Sequence, residues 1–409
     1  MGVEREKLET ALKNSDSQPV IVSAVRTPIG KFGRTLKDYP APKLGAIAIR
    51  EALSRAKGVK DSDIYEVIMG NVISAGLGQN PARQAAIYSG LPPEVGATTE
   101  NKVCGSGLKA IMFAAQAIKA KDADCIVAGG MESMSGAPYL QKNLRWGLKF
   151  GDSKVIDSML LDGLWDAYND FHMGITGEIV AERHGISREE ADKYALLSYT
   201  RAKEAIKRGD FKEEIVPVEV KRENGSLGLF EQDECVREDT TLEGLKALRP
   251  VFKPNGVLTA GNSSQLSDGA AAVVICSEEK AKSRDVSVLA RIVAYGQAAV
   301  RPELVMEAPI PACRNLLKKA QLSINDIDLV EHNEAYSTAS IAVRKELDVD
   351  ENKFNVNGGA IALGHPIGCS GARIIATLIY SLRRKKLHRG LATLCLGGGE
   401  AVSMIIEVP

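Results

Sequence analysis

The chain repeats itself, and this limits its fold more tightly than any other feature. Residues 61–72, DSDIYEVIMGNV, and 324–336, INDIDLVEHNEAY, share one order: a polar turn, an Asp-Ile step and a β-run. Cys104 follows Ile64 by 40 positions, and His365 follows Ile327 by 38. A Gly/Ser turn and an Ala- and Ile-rich helical stretch come next in both places, GSGLKAIMFAAQAIKA and GCSGARIIATLIYSL. Each stretch leads to a strand that meets glycines, DCIVAGGMESMS (124–135) and ATLCLGGGEAVSM (392–404). Repetition on this scale marks a duplicated supersecondary unit. Alternating strands and helices make that unit α/β. The expectation is two related α/β halves about a pseudo-twofold, with helix N-termini converging on a shared site.

The repeat also divides the chain. Residues 1–18 read as a flexible lead-in, 19–134 with 267–288 as the first half, and 289–409 as the second. Between them, 135–266 breaks the pattern with the helical SREEADKYALLSYTRAKEAIKRGDF and the polar KRENGSLGLFEQDECVRED. An insertion of that size between repeated elements reads as a loop domain that binds or covers a ligand.

Charge and cysteine usage exclude several function classes. Lys+Arg and Asp+Glu both number 52, so no net field favours nucleic acid or a membrane surface. Seven cysteines without a CxxC, in a chain of 409 residues, do not form a disulfide framework. No histidine pair has metal-ligand spacing such as HExxH. No apolar run reaches the length of about 18 residues that a membrane helix needs. The start lacks a secretory or transit pattern, and the final IIEVP is not an S-K-L address. A cytoplasmic location is expected.

Four stretches put reactive side chains beside glycines: VCGSG (103–107), HNEAYS (332–337), NGGAIALGHPIGCSGA (357–372) and CLGGGEA (395–401). Each has an ordinary explanation by itself, as a buried thiol, a helix cap or a tight turn. Together they place Cys104, Asn333, His365 and Cys395 at strand ends in equivalent parts of two repeats. A cysteine at a strand-to-helix corner gains from the helix dipole and free N–H groups, which favour the thiolate.

In these blocks, with FHMGITGE, AGGMESMS and TAGNSSQLSDGAAA, the chain resembles the thiolases over about residues 19–409, especially the biosynthetic acetyl-CoA acetyltransferases. The resemblance implies the layered αβαβα thiolase fold with an inserted loop domain. It implies reversible Claisen condensation of two acetyl-CoA to acetoacetyl-CoA and CoA, by a ping-pong route, as the first step of the mevalonate pathway. Cys104 would be the nucleophile that carries the acetyl group, and His365 its base. Cys395 would be the general acid and base, and His365 with a water on Asn333 would hold the enolate oxygen. The N–H groups of Cys104 and Gly397 would cradle the tetrahedral intermediate. Ser264, Arg237, His172 and Met173 would bind CoA and line the acyl pocket.

CoA is substrate and product, and no cofactor is required. Some relatives hold a monovalent cation, K+, near positions matching Tyr199, Ala260, Gly261, Ser263 and Ile361, which stays open here. The part that joins dimers into tetramers resembles 70–86, so a homotetramer is expected. His332 and Tyr336 depart from the family pattern and are expected lateral to the chemistry, though Tyr336 could add a hydroxyl near the pantetheine channel. The alternatives are a degradative 3-ketoacyl-CoA thiolase, a decarboxylating ketoacyl synthase, which Cys395 argues against, and a silent CoA- or lipid-binding protein.

Overall fold

The computed structural model describes residues 17–222 and 225–409, so most of the lead-in expected over 1–18 lies outside the described residues. The first half runs β1 (Pro19–Arg26), α1 (Ala41–Arg55), β2 (Glu66–Gly70), α2 (Pro81–Tyr88), β3 (Gly96–Glu100), α3 (Ser106–Ala120), β4 (Cys125–Ser133) and, after the insertion, β5 (Ser267–Ser277). Within the insertion lie α4 (Gly174–His184) and α5 (Arg188–Arg208). The second half runs β6 (Ala290–Ala299), α6 (Pro309–Ala320), β7 (Leu329–His332), α7 (Ser337–Glu346), α8 (Ser370–Lys385), β8 (Arg389–Leu396) and β9 (Glu400–Glu407).

Strand order makes the duplication explicit. One half reads β3-β2-β4-β5-β1, with β2 parallel to β3 and β4, and β5 antiparallel to β4 and β1. The other reads β7-β8-β9-β6, with β7 parallel to β8 and β9 antiparallel to β8 and β6. A bridge from Val330 to Phe354 stands where β3 lies in the first half. The halves meet along β1 and β6, paired only at Val20–Arg291 and Ile21–Ala290. The repeat therefore maps β2 on β7, α3 on α8, β4 on β8 and β5 on β9.

Hydrophobic pattern decides the layers. Of α8, every residue from Ser370 to Leu382 is buried, as befits a helix apolar on nearly all sides. Its Ile374, Ile375 and Ile379 join Leu108 and Ile111 of α3 and residues of both half-sheets in one central core. A second core seals α1 and α2 onto the outer face of the first half. A third seals α5, α6 and α7 onto the second. The five layers are αβαβα.

The insertion supplies short hairpins and the two longer helices. Tyr139–Leu140 pairs with Ile156–Asp157, Trp165–Asp166 with Phe171–His172, and Val218–Lys221 with Leu227–Phe230. Helix α5 opens with a capping box, Ser187 with Glu190, which satisfies two otherwise orphaned N–H groups. Both α4 and α5 pack against α7 and so tie the insertion to the second half. Among the described residues no helix is long and apolar enough to cross a membrane.

The central helices touch at their N-terminal turns. A Cβ on Gly107, second residue of α3, would lie 2.8 Å from Ala372 N; one on Gly371, second residue of α8, 2.3 Å from Leu108 N. A Cβ on Gly130 of β4 would lie 2.0 Å from the Gly368 carbonyl oxygen. Backbone cannot yield there without moving the His365 loop. Gly130→Ala is expected to lose about 3 kcal/mol of stability, the upper end of overpacking costs, read from chemical denaturation.

Candidate active site

Cys104 sits in a loop between β3 and α3, two residues before the first helical residue, Ser106. Val103 before it holds φ 47, a left-handed conformation unfavourable for a β-branched side chain. The loop is pinned on both sides of that strain. Lys102 N donates to Ser106 Oγ at 2.9 Å, and Ser106 Oγ donates to the Val103 carbonyl at 2.6 Å. Lys102 Nζ also pairs with Glu400 at 2.7 Å, tying the loop to β9.

The Cys104 sulfur lies among backbone donors. Burial pushes its thiol up to about 12, while the N–H groups of Cys104 itself and of Gly397 pull it down. Gly397 opens the turn between β8 and β9, in which Gly398 and Gly399 take φ 90 and 85. Cys104 is half-buried and lies just ahead of the helix start, where desolvation opposes the pull of its two donors on the thiol.

Cys395, near the end of β8, is buried, and its thiol is also held well above the usual range, first by burial and then by the charge Cys104 would carry. The two sulfurs are therefore electrostatic neighbours although 291 positions separate them. Cys395 Sγ also contacts Met306 Sδ at 3.7 Å. Tyr336 faces both thiols, since burial and then the charges of Cys104 and Cys395 raise its phenol. It is not lateral to the chemistry, as the sequence suggested; His332 is, with its ring stacked on Phe354 and bonded to Ser340.

The imidazole of His365 meets the amide of Asn333, with Nε2 3.4 Å from Nδ2. Burial, helped by the Arg373 charge, drives His365 down to about 3, so the ring is neutral. Asn333 is fully buried, and its Oδ1 has no hydrogen-bond partner. The next residue holds this corner in place. Glu334 accepts from Tyr194 Oη (2.9 Å), Ser198 Oγ (2.7 Å), Asn355 Nδ2 (3.0 Å) and Ile361 N (3.2 Å), joining β7 to α5 and to the 355–361 loop. On the other side His365 N donates to the Gln265 carbonyl at 2.9 Å.

Glu132, at the end of β4, fastens the loops around both reactive corners. Its carboxylate accepts from Asn71 Nδ2 (2.8 Å), Val72 N (3.1 Å), Ile73 N (3.2 Å) and Gly368 N (2.8 Å). Burial lifts it to about 7 against three of those backbone bonds, and its charge also opposes ionisation of Cys104. Sequence reading missed Glu132, Met306 and the role of Tyr336. The one signal for Glu132 was a carboxylate inside an otherwise apolar strand.

Around the thiols runs an aromatic wall. His172 stacks on Phe252 at 4.8 Å, and Phe252 meets Tyr336 edge-on at 5.7 Å. Met173 packs with Phe252 against the core that contains Tyr336 and Cys395. Ser264 N donates to the Ala335 carbonyl at 3.0 Å, which seats Ser264 beside the same loop. Arg237 is not among this group: its charge acts on Tyr199, and its carbonyl accepts from Thr240 Oγ1 at 3.1 Å.

The groups here are a neutral thiol, a neutral imidazole, a second thiol and two N–H groups that favour charge on one sulfur. That set suits acyl transfer onto sulfur, with proton movement confined to the moment of reaction. Because burial raises the Cys104 thiol to about 12, its alkylation by iodoacetamide in the free protein is expected to rise about tenfold per pH unit from pH 7 to 10. A plateau reached near pH 7 in that rate profile would instead show a preformed ion pair.

Comparison with known proteins agrees with this arrangement. Residues 19–279 match the family model for the thiolase N-terminal domain, and 286–408 that for the thiolase C-terminal domain. An acetyl-CoA acetyltransferase of Cupriavidus necator is 51% identical over 388 residues, covering 95% of this chain and 98% of that protein. The crystal structure of the Bacillus anthracis acetyl-CoA acetyltransferase superposes with TM-score 0.94 at 43% identity, covering 96% of this chain and 99% of the other. That of human mitochondrial 3-ketoacyl-CoA thiolase does so at 0.93 and 44% identity, covering 97% and 100%. With both halves matched and the two thiols, the amide and the imidazole gathered where those halves meet, this chain belongs to the thiolase family and is an acyltransferase.

Proposed function

We propose that the protein condenses two acetyl-CoA molecules to acetoacetyl-CoA and CoA, reversibly and by a ping-pong route. The observation that carries this is the pair of coupled thiols, Cys104 and Cys395, with two backbone N–H groups on the first sulfur. A decarboxylating enzyme needs no second base for a carbon acid. The names of the Cupriavidus and Bacillus relatives point the same way.

In the first half-reaction His365 Nε2 takes the Cys104 proton as sulfur attacks the thioester carbonyl. The N–H groups of Cys104 and Gly397 receive the oxyanion, and CoA leaves with the proton of Cys395, which becomes the thiolate while His365 keeps the proton of Cys104. In the second, Cys395 removes a methyl proton from a new acetyl-CoA, while His365 and a water on the unpaired Asn333 Oδ1 hold the enolate oxygen. The carbanion takes the acetyl group from Cys104, whose sulfur regains its proton from His365, and Cys395 ends as the thiol. His172, Met173 and Ser264 line the thioester channel, and Arg237 meets the nucleotide end of CoA farther out.

No step needs a metal. Of the positions named for a monovalent cation, Ser263 Oγ is buried without a partner, but the Ile361 carbonyl already accepts from Gln265 Nε2 at 3.0 Å. For the assembly, Val72 and Ile73 within 70–86 are buried, whereas Tyr139, Leu144, Trp146 and Leu148 are exposed. The exposed apolar side chains of 139–148 are a second candidate surface for a homotetramer beside 74–80, which is itself largely exposed. The second reading, a degradative thiolase of wider acyl range, draws on the human 3-ketoacyl-CoA thiolase.

With acetyl-CoA, Cys395→Ala is expected to accumulate the acetyl-thioester without condensing, and Cys104→Ala to take no label. His365→Ala is expected to slow both half-reactions by about 10²–10⁴-fold. Intact-mass analysis and single-turnover assays read these outcomes. Normal condensation by Cys395→Ala would remove the second thiol from the mechanism. Thiolysis rates over acyl chain length separate the two readings: a sharp fall beyond four carbons supports the acetyl-specific one.

A further inference from the structure

Tyr336 stands just ahead of α7, and its backbone is held from both sides. Ser264 N donates to the Ala335 carbonyl and Ser337 N to the Asn262 carbonyl, each at 3.0 Å. The ring is held as firmly. A Cβ on Gly177 of α4 would lie 3.0 Å from its Cγ, Phe252 meets it edge-on at 5.7 Å, and Thr338 Oγ1 ties α7 to the Gly177 carbonyl at 2.9 Å. A ring packed in this way has one direction for its hydroxyl, and there the charges of Cys104 and Cys395 both reach it.

That hydroxyl is the exception among the buried tyrosines. Tyr194 Oη donates to Glu334 at 2.9 Å, Tyr380 Oη donates to the Ala24 carbonyl at 2.9 Å, and Tyr199 Oη accepts from Gln265 Nε2 at 3.5 Å. Tyr336 is 7% exposed, yet none of the described residues bonds its hydroxyl, the two sulfurs included. Buried phenols ordinarily find a partner, and leaving one without is costly. Its packing neighbours Met173, Phe252 and Met306 have none to offer. Nor is the imidazole free, since His365 Nδ1 lies 2.6 Å from Ser370 Oγ and Nε2 faces the Asn333 amide. The partner has to come from whatever enters the pocket.

An acyl group on Cys104 Sγ, as in the reaction proposed above on which this inference rests, places its second carbon next but one to that sulfur. We propose that Tyr336 is a specificity-determining residue whose hydroxyl donates to an oxygen on that second carbon, so that the site takes 2-hydroxyacyl groups, glycolyl first among them, in preference to alkyl groups of the same size. With acetyl, a water fills the place and keeps the phenol bonded. Propionyl puts a methyl group there, which displaces the water and leaves the hydroxyl unpaired. Glycolyl matches propionyl in size and replaces the water with its own oxygen. A site that bonds a substrate oxygen rejects the analogue lacking it more sharply than an apolar site rejects an added hydroxyl.

The transfer itself is that of acetyl. The acyl carbon bonds to Cys104 Sγ as its bond to the CoA sulfur breaks, CoA leaves with the proton of Cys395, and His365 keeps that of Cys104. The glycolyl hydroxyl and the phenol keep their protons throughout. Condensation with acetyl-CoA then gives the 4-hydroxy-3-oxobutanoyl thioester of CoA.

The test loads the full-length protein separately from acetyl-CoA, glycolyl-CoA and propionyl-CoA, following Cys104 by intact mass and the CoA released. Glycolyl is expected to load about tenfold faster than propionyl, the worth of one hydrogen bond gained and one buried donor not stranded. In Tyr336→Phe, which keeps the ring and loses the hydroxyl, that ratio is expected to fall about tenfold, to near one. Comparing two acyl groups of equal size within one protein cancels any change in folding or in the chemistry common to both.

A wild-type ratio of one or less would overturn the proposal, as would an undiminished ratio in Tyr336→Phe. Thermal unfolding checks the variant, and if it is unfolded the wild-type ratio decides. Loading from acetyl-CoA without any preference between the other two groups would overturn this inference alone. Failure of Cys104 to load from acetyl-CoA would instead refute the proposed function.

Discussion

Everything in this molecule depends on how closely two buried helices approach at their N-terminal turns. Gly107 and Gly371 let the backbones of α3 and α8 meet without a side chain between them, and Gly130 lets β4 pass under the Gly368 carbonyl. Dense packing of this kind does not deform by small amounts. Cys104 hangs from one of these turns and His365 from the loop that enters the other, so their separation is set by backbone contact. Glu132 adds direction to the contact by drawing in N–H groups from 71–73 and from Gly368. One carboxylate thus ties a loop of the first half to the histidine loop of the second.

Burial then shapes the chemistry. Desolvation favours Cys104 as a thiol and His365 as a free imidazole, so neither reacting group is charged at rest. For a reversible acyl transfer this has a clear benefit. A sulfur made permanently anionic by a strong ion pair would be a poorer nucleophile, because nucleophilicity falls with pKa. A sulfur that ionises only as it reacts, onto N–H groups already in place, meets the transition state with little rearrangement. The serine behind His365, where a carboxylate would make the ring permanently basic, belongs to the same scheme.

Much of this was legible in the residues. The order of turn, β-run, reactive corner and Ala/Ile-rich helix appears twice, and in the structure it became β2, α3 and β4 against β7, α8 and β8. The pattern is readable because periodicity survives wherever a helix or strand buries a continuous face. The insertion was less readable: its hairpins are two to four residues long and carry no period. Tyr336 was misjudged for a different reason. It caps α7 and bridges to Ser263, and the direction of a side chain at such a junction is not encoded in local spacing.

By itself, the sequence determined that the chain is a duplicated α/β protein and that Cys104, Asn333, His365 and Cys395 lie at repeat-equivalent corners. Hydrophobic period and glycine placement are local properties, readable one segment at a time. Only the tertiary structure decided that the two thiols are electrostatic neighbours, that desolvation opposes ionisation at Cys104, and that Ser370 stands behind the imidazole. These are distances between segments far apart in the chain and the desolvation they impose. No stretch of sequence carries either until packing has closed around it.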